Sequence, residues 1–395
     1  MEIKFTDSID SIDPEEWSSI INSDYPFLKH SFFNALEKSG CIGPESGWNP
    51  FYLLLYNQEK LSGIMPLFLK TNSSGEFVFD WSWADAFYRH GLPYYPKLVC
   101  SIPFTPASGP RLSLINGLDR TKAIKFIIKE VKNLSDKIDI SSFHILFPNN
   151  KEKKEFTNSG LRLRTSNSFH WFNNKYKNFD NFLNDFTSRQ RKNLKKERSK
   201  IDSQGITMEK VQGNKITAKM WDNFYSFYQR TYYIRGSKGY LNLNFFKLIG
   251  KLMPEALLMI LAKNSKGEYV AAALNFLDKE SLYGRYWGSL EDYDSLHFET
   301  CYYQGIEYCI KNGLHRFDPG VQGEHKIKRG FCPIETYSLH WIKDERFKGA
   351  IDNFLSQEKK HIQSYNKSCI ELLPFKESIT KDIYKNGYNI RSRST

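Results

Sequence analysis

The feature that most constrains the fold of this chain is a weak internal repeat. The tetrapeptide Ser168–Trp171 recurs as Ser338–Trp341, and the pentapeptide His144–Pro148 has a counterpart in His315–Pro319, both about 170 residues further along. Upstream of each copy, two apolar runs joined by a polar turn predict a β-hairpin, and an aromatic segment that we expect to form a strand follows it. The hairpins are 51–70 and 257–277, and the aromatic segments are 77–85 and 281–289. The repeat therefore predicts two copies of one mixed unit.

Helical periodicity separates the strands in both copies. Apolar residues follow i, i+3 and i+4 spacing in 120–134 and again in 298–310. Neither GxGxxG nor GxxxxGK[ST] occurs, which argues against the usual dinucleotide and Walker loops. We therefore expect an α/β (α+β) protein with mixed sheets. The expected divisions are a first domain 1–171, bridging helices 172–205, and a second domain with a C-terminal helix and tail, 206–395.

The charge balance indicates an anionic partner. Lysine and arginine exceed aspartate and glutamate by 12 in 395 residues. The six cysteines form no CxxC pair, so we expect neither a metal site nor a disulfide scaffold. The amino terminus lacks a signal-peptide pattern, and no run approaches about 18 consecutive apolar residues. These features predict a cytoplasmic protein without a transmembrane segment.

Half of the excess positive charge falls in one predicted helix, 188–200. It holds seven cations and a single acid, Glu197. Arginine forks bind phosphate oxygens bidentately, and an RNA backbone would suit the helix equally well. Arg189, Arg191 and Lys192 are therefore candidate phosphate-binding residues. A solvated connecting helix is the alternative interpretation.

The loop 318–331, after a predicted strand, concentrates glycines, one imidazole and several charges. Loops at the carboxyl ends of strands commonly hold reactive groups in α/β folds. An acid or an imidazole here could act as a base, and a lysine could stabilise a developing oxyanion. A turn with solvated charges is the alternative. The candidate catalytic residues are Lys326 and, as base, either Glu324 or His325, with Asp318 and Arg329 as candidate substrate-binding residues.

Two other segments interleave aromatic and charged residues, as pockets with a few polar anchors do. One is 79–91, and the other joins the strand 281–289 to the helix that follows. A core strand with a surface loop would also explain the first segment, and capping or packing would explain His297. The candidate substrate-binding residues are Trp83, Asp85, Arg89 and His90 in the first segment, and Arg285, Trp287, His297 and Glu299 in the second.

Long motifs along the chain resemble one bacterial family, the FemAB-like predicted N-acyltransferases of peptidoglycan biosynthesis or recognition. The resemblance extends from about Phe27 to about Phe354. It rests on FVFDWSWADAFYRHGLPYYPKL, IPFTPASGPRL, SRQRKNLKKERSKI, LYGRYWG, LHFETCYYQGIEYCI, PGVQGEHKIKRGF and YSLHW.

The resemblance implies two GNAT-like acyltransferase domains in tandem. It also implies transfer of an acyl or aminoacyl group to an amine acceptor, such as a peptidoglycan precursor or a related metabolite. Lys326 matches the family residue that stabilises the charged tetrahedral intermediate, whereas His325 replaces the family aromatic before it. The basic helix corresponds to the segment that opens the second domain in this superfamily.

Two departures from related enzymes bear on the donor. The sequence has no room for the long helical arm of staphylococcal Fem enzymes. The acids Glu291–Asp294 stand where GNAT enzymes carry their pyrophosphate loop. We expect no permanently bound cofactor, and the donor is either aminoacyl-tRNA or acyl-CoA, with tRNA as a candidate partner. A non-catalytic module that binds a cell-wall precursor or RNA is the alternative function.

Overall fold

The computed structural model of the protein describes residues 1–321 and 323–386. Gln322 and the end of the expected tail, 387–395, lie outside the described residues. The chain forms two compact units. The first consists of Met1–Ser166 with Glu335–Ile362, and the second of Asn167–Ile334 with the chain that follows Ile362.

Strands and helices are interspersed along the chain. In chain order the strands are β1 (Glu2–Thr6), β2 (Trp48–Pro50), β3 (Tyr52–Asn57), β4 (Lys60–Met65), β5 (Leu67–Lys70), β6 (Lys97–Cys100), β7 (Ser113–Leu114), β8 (Ser142–Leu146), β9 (Arg162–Phe172), β10 (Thr207–Gln212), β11 (Leu257–Lys263), β12 (Tyr269–Leu277), β13 (Ser281–Ser289), β14 (Arg316–Asp318) and β15 (Cys332–Ile342). The α-helices are α1 (Pro14–Ile20), α2 (His30–Lys38), α3 (Trp81–Arg89), α4 (Arg120–Lys137), α5 (Asn150–Asn158), α6 (Phe179–Leu183), α7 (Ser188–Ser203), α8 (Ala218–Ile234), α9 (Leu243–Leu252), α10 (Leu296–Phe298), α11 (Gln304–Lys311), α12 (Lys348–Glu371) and α13 (Glu377–Asn386). A π-helical turn, Glu299–Tyr303, joins α10 to α11.

The first unit contains two sheets. One has the order β1-β3-β4-β7, and the other runs β15-β8-β6-β5-β2 with β6 and β8 parallel. The predicted hairpin within 51–70 is present, since β3 and β4 pair from Leu53↔Met65 to Asn57↔Lys60, while β5, beyond Pro66, pairs with β6 in the second sheet. Helix α4 covers the core with Ala123, Ile127 and Val131, as its spacing predicts.

The second unit is built on a mixed sheet of order β10-β11-β12-β13-β14-β9. Here the predicted hairpin is present, since β11 and β12 pair from Leu257↔Phe276 to Lys263↔Tyr269. Strands β13 and β14 run parallel. The predicted helix near 298–310 is present as the π-helical turn and α11, and Gly313, with φ of +68°, ends it.

The two tetrapeptides of the repeat lie in exchanged positions. Trp171 of β9 pairs with Phe317 of β14 in the second unit, whereas His340 of β15 pairs with His144 of β8 in the first. Each copy of the motif therefore completes the sheet of the other half of the sequence. The contacts assign 335–362 to the first unit for this reason, which differs from the contiguous division into 1–171 and 206–395.

The aromatic segment 77–85 does not form the strand that we expected, because its second half belongs to helix α3. The buried residues of α3 are Trp83, Ala84 and Phe87. They are spaced by one and three positions, which is the spacing of a helix face. They pack against Tyr94, Ile342 and Phe347. Alternating aromatic residues suggested a strand, but burial of one helical face determines the structure.

Candidate functional site

The parallel strands of the second unit separate at the end of β14. Their pairing covers Ser281–Tyr283 against Arg316–Asp318, after which β14 ends and β13 continues to Ser289 against β12 alone. The chain beyond Asp318 turns through Gly320, whose φ of +91° favours glycine. Ligands bind in α/β folds where the carboxyl ends of strands diverge, so this notch is the natural position for a site.

A buried ion pair forms the floor of the notch. Arg285 donates from Nη2 to Oδ2 of Asp318 at 2.6 Å and from Nη1 to Oδ1 at 3.2 Å. Nε2 of His170 lies 3.5 Å from Oδ1 of the same carboxylate. Burial raises the pKa of Asp318, but the charge of Arg285 and the contact with His170 outweigh it and hold that pKa well below its ordinary value. The carboxylate is therefore ionised at neutral pH, and its lowered pKa makes it a weak base.

Lys326 brings an amine to the same notch from the loop. The residue is only 3% exposed, and its Nζ donates to the carbonyl oxygens of Gly320 at 2.6 Å and Val321 at 3.2 Å. Burial lowers its pKa to about 8, with Asp318 opposing the shift. The amine is thus mainly charged at neutral pH while lying close to its titration point.

The two candidate bases, Glu324 and His325, are both exposed. The carboxylate of Glu324 accepts a hydrogen bond from the Tyr365 hydroxyl at 2.7 Å. Nε2 of His325 is hydrogen-bonded to the Tyr302 hydroxyl at 2.8 Å. Partial burial and then the charges of Lys326 and Arg329 lower the pKa of His325. His325 is therefore neutral at pH 7 and has the proton-accepting form.

Aromatic rings surround His325 on the side of β13 and the π-helical turn. The His297 ring lies 5.3 Å from Trp287 and 5.8 Å from His325, and Phe298 lies 5.7 Å from His325. Burial, together with His325 and the nearby cations, lowers the pKa of His297 to about 3. The structure thus brings Trp287, His297 and His325 into one neutral aromatic group beside Lys326.

Arg329 and Glu299 face the basic helix α7. Nη2 of Arg329 donates to Glu197 at 2.8 Å, and its guanidinium lies 3.3 Å from the centroid of the Phe298 ring. Glu299, which is buried, accepts two hydrogen bonds from Arg198 and borders a cavity of about 600 Å³. Both side chains form ion pairs with α7 within the second unit. They therefore do not lie open to a substrate, contrary to our expectation.

The predicted phosphate-binding residues lie in the first two turns of α7. Arg189 and Lys192 are exposed, and Arg191 is half-buried with Nη1 3.5 Å from Oδ1 of Asn184. Further along the helix, Lys195 pairs with Asp180 and Lys200 with Asp294. Within the described residues, the cations of α7 that form no ion pair with a carboxylate are the three predicted phosphate-binding residues and Lys196, which lies one turn further along and is exposed.

The other predicted site residues belong to the first unit, on or just after α3. Asp85, Arg89 and His90 are exposed, and Nδ1 of His90 is hydrogen-bonded to the Ala86 carbonyl. Trp83 is buried and packs edge-on against His340 at 4.9 Å. In this unit Trp83 is a core residue, whereas the three polar residues lie at the surface.

Comparison with known proteins is consistent with this geometry. A family model described as FemAB-like, peptidoglycan biosynthesis/recognition, matches residues 8–377. The chain belongs to the FemAB-like family. No curated protein matches its sequence.

Solved structures share the FemAB-like fold at low sequence identity. FemX is 13% identical with a TM-score of 0.52, covering 89% of this chain and 100% of FemX. The C-terminal domain of a putative lysylphosphatidylglycerol synthetase from Agrobacterium fabrum is 9% identical with a TM-score of 0.54, covering 88% and 97%. L-PGS from Bacillus licheniformis is 10% identical with a TM-score of 0.50, covering 83% and 95%. The expected fold class, an α/β protein of two units with mixed sheets, is confirmed.

Family membership assigns this chain to a group associated with peptidoglycan biosynthesis or recognition. No helix in the described part of the chain is long and apolar enough to cross a membrane. Among residues 1–321 and 323–386, no group of three or more histidine, cysteine and carboxylate side chains could hold a metal ion.

Sequence reasoning missed His170, Tyr302 and Glu197, each of which contacts a predicted residue. His170 lies in the repeated tetrapeptide, so the repeat was a usable signal for it. Glu197 had a weaker signal, as the single acid among seven cations. Tyr302 had none, because its contact with His325 depends on how the π-helical turn packs against the loop.

A buried charged cluster of the first unit was also missed. Lys97 donates to Glu76 at 2.9 Å and to Asp80, and Asp80 accepts from the Tyr94 hydroxyl at 2.6 Å. Because Asp80 directly precedes α3, this cluster fixes the start of that helix. Lys97 pairs with both carboxylates, but Oε1 of Glu76 is buried without a hydrogen-bond partner, and burial raises the pKa of Glu76 to about 7.

Proposed function

We propose that this FemAB-like protein transfers an acyl or aminoacyl group to an amine acceptor at the notch of the second unit. The observation that carries the proposal is the buried amine of Lys326, held by two carbonyl groups next to the Arg285–Asp318 pair. A cation held in a water-poor position is suited to the oxyanion that forms when an amine attacks an acyl carbonyl.

The acceptor amine must lose a proton as the new C–N bond forms and the donor's oxygen or sulfur leaves. His325 is the better placed of the two candidate bases, because its lowered pKa keeps it neutral. When its Nε2–H donates to the Tyr302 hydroxyl, Nδ1 keeps a lone pair for that proton. Glu324, by contrast, is already engaged by Tyr365.

Aminoacyl-tRNA is the donor that we favour, with a peptidoglycan precursor as acceptor. The exposed cations Arg189 and Lys192 suit phosphodiesters. Glu291 and Asp292 are exposed before α10, where they would repel the pyrophosphate of coenzyme A. FemAB-like membership supports the acceptor class.

A matrix of donors and acceptors tests this proposal. Charged tRNAs and acyl-CoAs are combined with a peptidoglycan precursor and, as the competing acceptor, phosphatidylglycerol, and amide or ester products are measured by mass spectrometry. Turnover with a charged tRNA and the precursor is expected, and Lys326→Met should lower it by about 10²–10³-fold, as loss of an oxyanion donor does. Circular dichroism checks that the variant is folded.

Three results would overturn the proposal. Binding of RNA or precursor without turnover by any pair would favour a non-catalytic module. Turnover with acyl-CoA but with no charged tRNA would show that the donor is acyl-CoA rather than aminoacyl-tRNA. Full activity in folded Lys326→Met would remove the lysine from the chemistry.

A further inference from the structure

Glu197, the single acid among residues 188–200 of the basic helix, has a specific partner. Glu197 lies on α7 among seven cations, and its carboxylate accepts from Arg329 Nη2 at 2.8 Å and from the Tyr303 hydroxyl. The Glu197 side chain is 29% exposed, whereas that of Arg329 is 7% exposed. The pair is therefore largely shielded from water, where an ion pair orients its partners more strongly than at an exposed surface.

Arg329 connects this acid to the reactive loop. Its Nη1 donates to the backbone carbonyl of His325 at 2.7 Å, while the flat face of the guanidinium lies on Phe298. An arginine fork holds both partners in a fixed plane, which a lysine ammonium cannot do. Each terminal nitrogen of Arg329 therefore has a protein partner, one in α7 and one in the backbone of the loop.

The carbonyl that Arg329 holds belongs to the peptide preceding Lys326. Because that peptide joins the two candidate catalytic residues, its orientation sets the direction of both side chains. The loop is restrained from the other side as well, since Gly330, with φ of +82°, is packed so that an added Cβ would lie 2.9 Å from Phe182. The position of the Lys326 amine thus depends on a contact made by α7.

We propose that Glu197 and Arg329 are positioning residues, which hold the His325–Lys326 peptide in the orientation that the transfer reaction needs. This inference rests on the proposed function. It also explains why one acid lies among the seven cations of 188–200. Arg329 acts through His325 and Lys326 rather than on the substrate.

The test compares Glu197→Gln with Glu307→Gln. Glu307 also binds a cation of α7, since its Oε1 lies 2.6 Å from Arg198, and its side chain is 30% exposed, nearly as much as that of Glu197. It does not touch the loop in the described structure. Arg329→Lys is the second variant, because it keeps the charge and loses the fork. Thermal unfolding of all three establishes that they fold.

Two readouts separate positioning from structural support. The first is the split between kcat and KM in the transfer assay, where Glu197→Gln and Arg329→Lys should lose about 10–100-fold in kcat with little change in KM. The second is the pH dependence of Lys326 acetylation by acetic anhydride, followed by mass spectrometry. Its midpoint, expected near 8 in the unaltered protein, should rise in these two variants and stay in Glu307→Gln.

The outcomes are distinct. The inference fails if Glu197→Gln and Glu307→Gln have the same kcat and the same pH midpoint of Lys326 acetylation. The ion pair with Arg329 would then be only structural. If the unaltered protein transfers no acyl group, the proposed function fails, and an unchanged acetylation midpoint in Glu197→Gln would still overturn the positioning role. A shifted midpoint in the two variants, absent from the control, supports it.

Discussion

The two units place different groups at equivalent points of similar sheets. In the first unit His340 faces His144, whereas in the second His170 contacts Asp318 at the corresponding end of β14. The imidazoles of the first unit bond through their Nδ1 atoms at 2.6 Å, and their Nε2 atoms bond to Ser142 and Ser338 at 2.8 Å. One site is thus a neutral pair and the other a charged one.

The space beyond the strands differs as well. Past β8, the buried side chain of Arg111 donates to the carbonyls of Leu146 and Ala107. Past β14, the chain continues into the loop that carries Lys326. The comparison indicates that one scaffold can be completed either by satisfied backbone groups or by ionised side chains. Only the second arrangement supplies charge for chemistry.

The largest effect is expected from removing the counter-ion of the charged site. Arg285→Met leaves Asp318 buried and unpaired, which should cost about 3–5 kcal/mol of unfolding free energy. Urea denaturation at pH 8 measures it. Arg111→Met in the first unit is the matched control, because it leaves the carbonyl groups of Leu146 and Ala107 without this donor while buried Glu152 keeps its ion pair with Arg120.

Acid should distinguish these two variants. The loss of unfolding free energy in Arg285→Met should be smaller at pH 5 than at pH 8. An unpaired buried carboxylate takes up a proton more readily, and the protonated form carries no buried charge. The loss in Arg111→Met should not depend on pH in this way. Equal pH dependence in both would contradict the ionised state of Asp318.

The neutral pair of His144 and His340 should affect how the free energy of unfolding depends on pH. Burial lowers the pKa of His144 to about 3, so between about pH 6.5 and 3 the unfolded chain binds a proton that the folded chain does not. Stability therefore falls as pH falls, by about 1.4 kcal/mol per pH unit for one such histidine. His144→Gln removes this contribution, so its stability should approach that of the unaltered protein on acidification, as urea unfolding at several pH values would measure. Ile145→Val, a neighbouring core change, should keep the full slope.

The pH dependence of the transfer rate should be set by ionisable groups of the second unit alone. If charged Lys326 stabilises the oxyanion, the transfer rate should fall as pH rises through about 8. Lys326→Arg keeps the charge, and it should move this descending limb to higher pH. His144→Gln should leave the limb in place. A limb unchanged in Lys326→Arg would assign it to another group.

The smallest effects on stability are expected at the surface of α7. Arg189→Ala and Lys192→Ala should change unfolding free energy by no more than about 0.5 kcal/mol. Each should nevertheless lower the slope of log affinity for tRNA against log salt by about one. Filter binding at several salt concentrations measures this slope. Lys122→Ala on α4, an exposed cation of the first unit, is the control that should leave the slope unchanged.

Much of the local structure could be predicted from the sequence. The apolar spacing in α4 and α11 and the turn between β11 and β12 depend on residues close in the chain, and each matches its pattern. Segment 77–85 could not be predicted in this way, because its aromatic residues alternate like a strand while their burial follows a helix. The cluster around Asp80 that fixes the start of α3 joins residues from separate segments.

Part of the candidate site could likewise be predicted from the sequence, and part could not. The loop with Lys326 and His325 was recognisable from its composition and from family resemblance. The partners of Arg329 and Glu299 were not, since their ion pairs lie 132 and 101 positions away in the chain. Both residues were expected to bind substrate, and the structure instead engages them with α7.

The sequence by itself determined that the chain contains two related α/β units, a basic helix and a reactive loop, because periodicity and composition report short-range preferences. Tertiary structure alone decided which sheet each repeated tetrapeptide completes, since either copy carries the same strand pattern and only hydrogen-bond pairing distinguishes them. It also decided which charges are ionised. Burial and a counter-ion determine that state, and residues distant in the chain supply both.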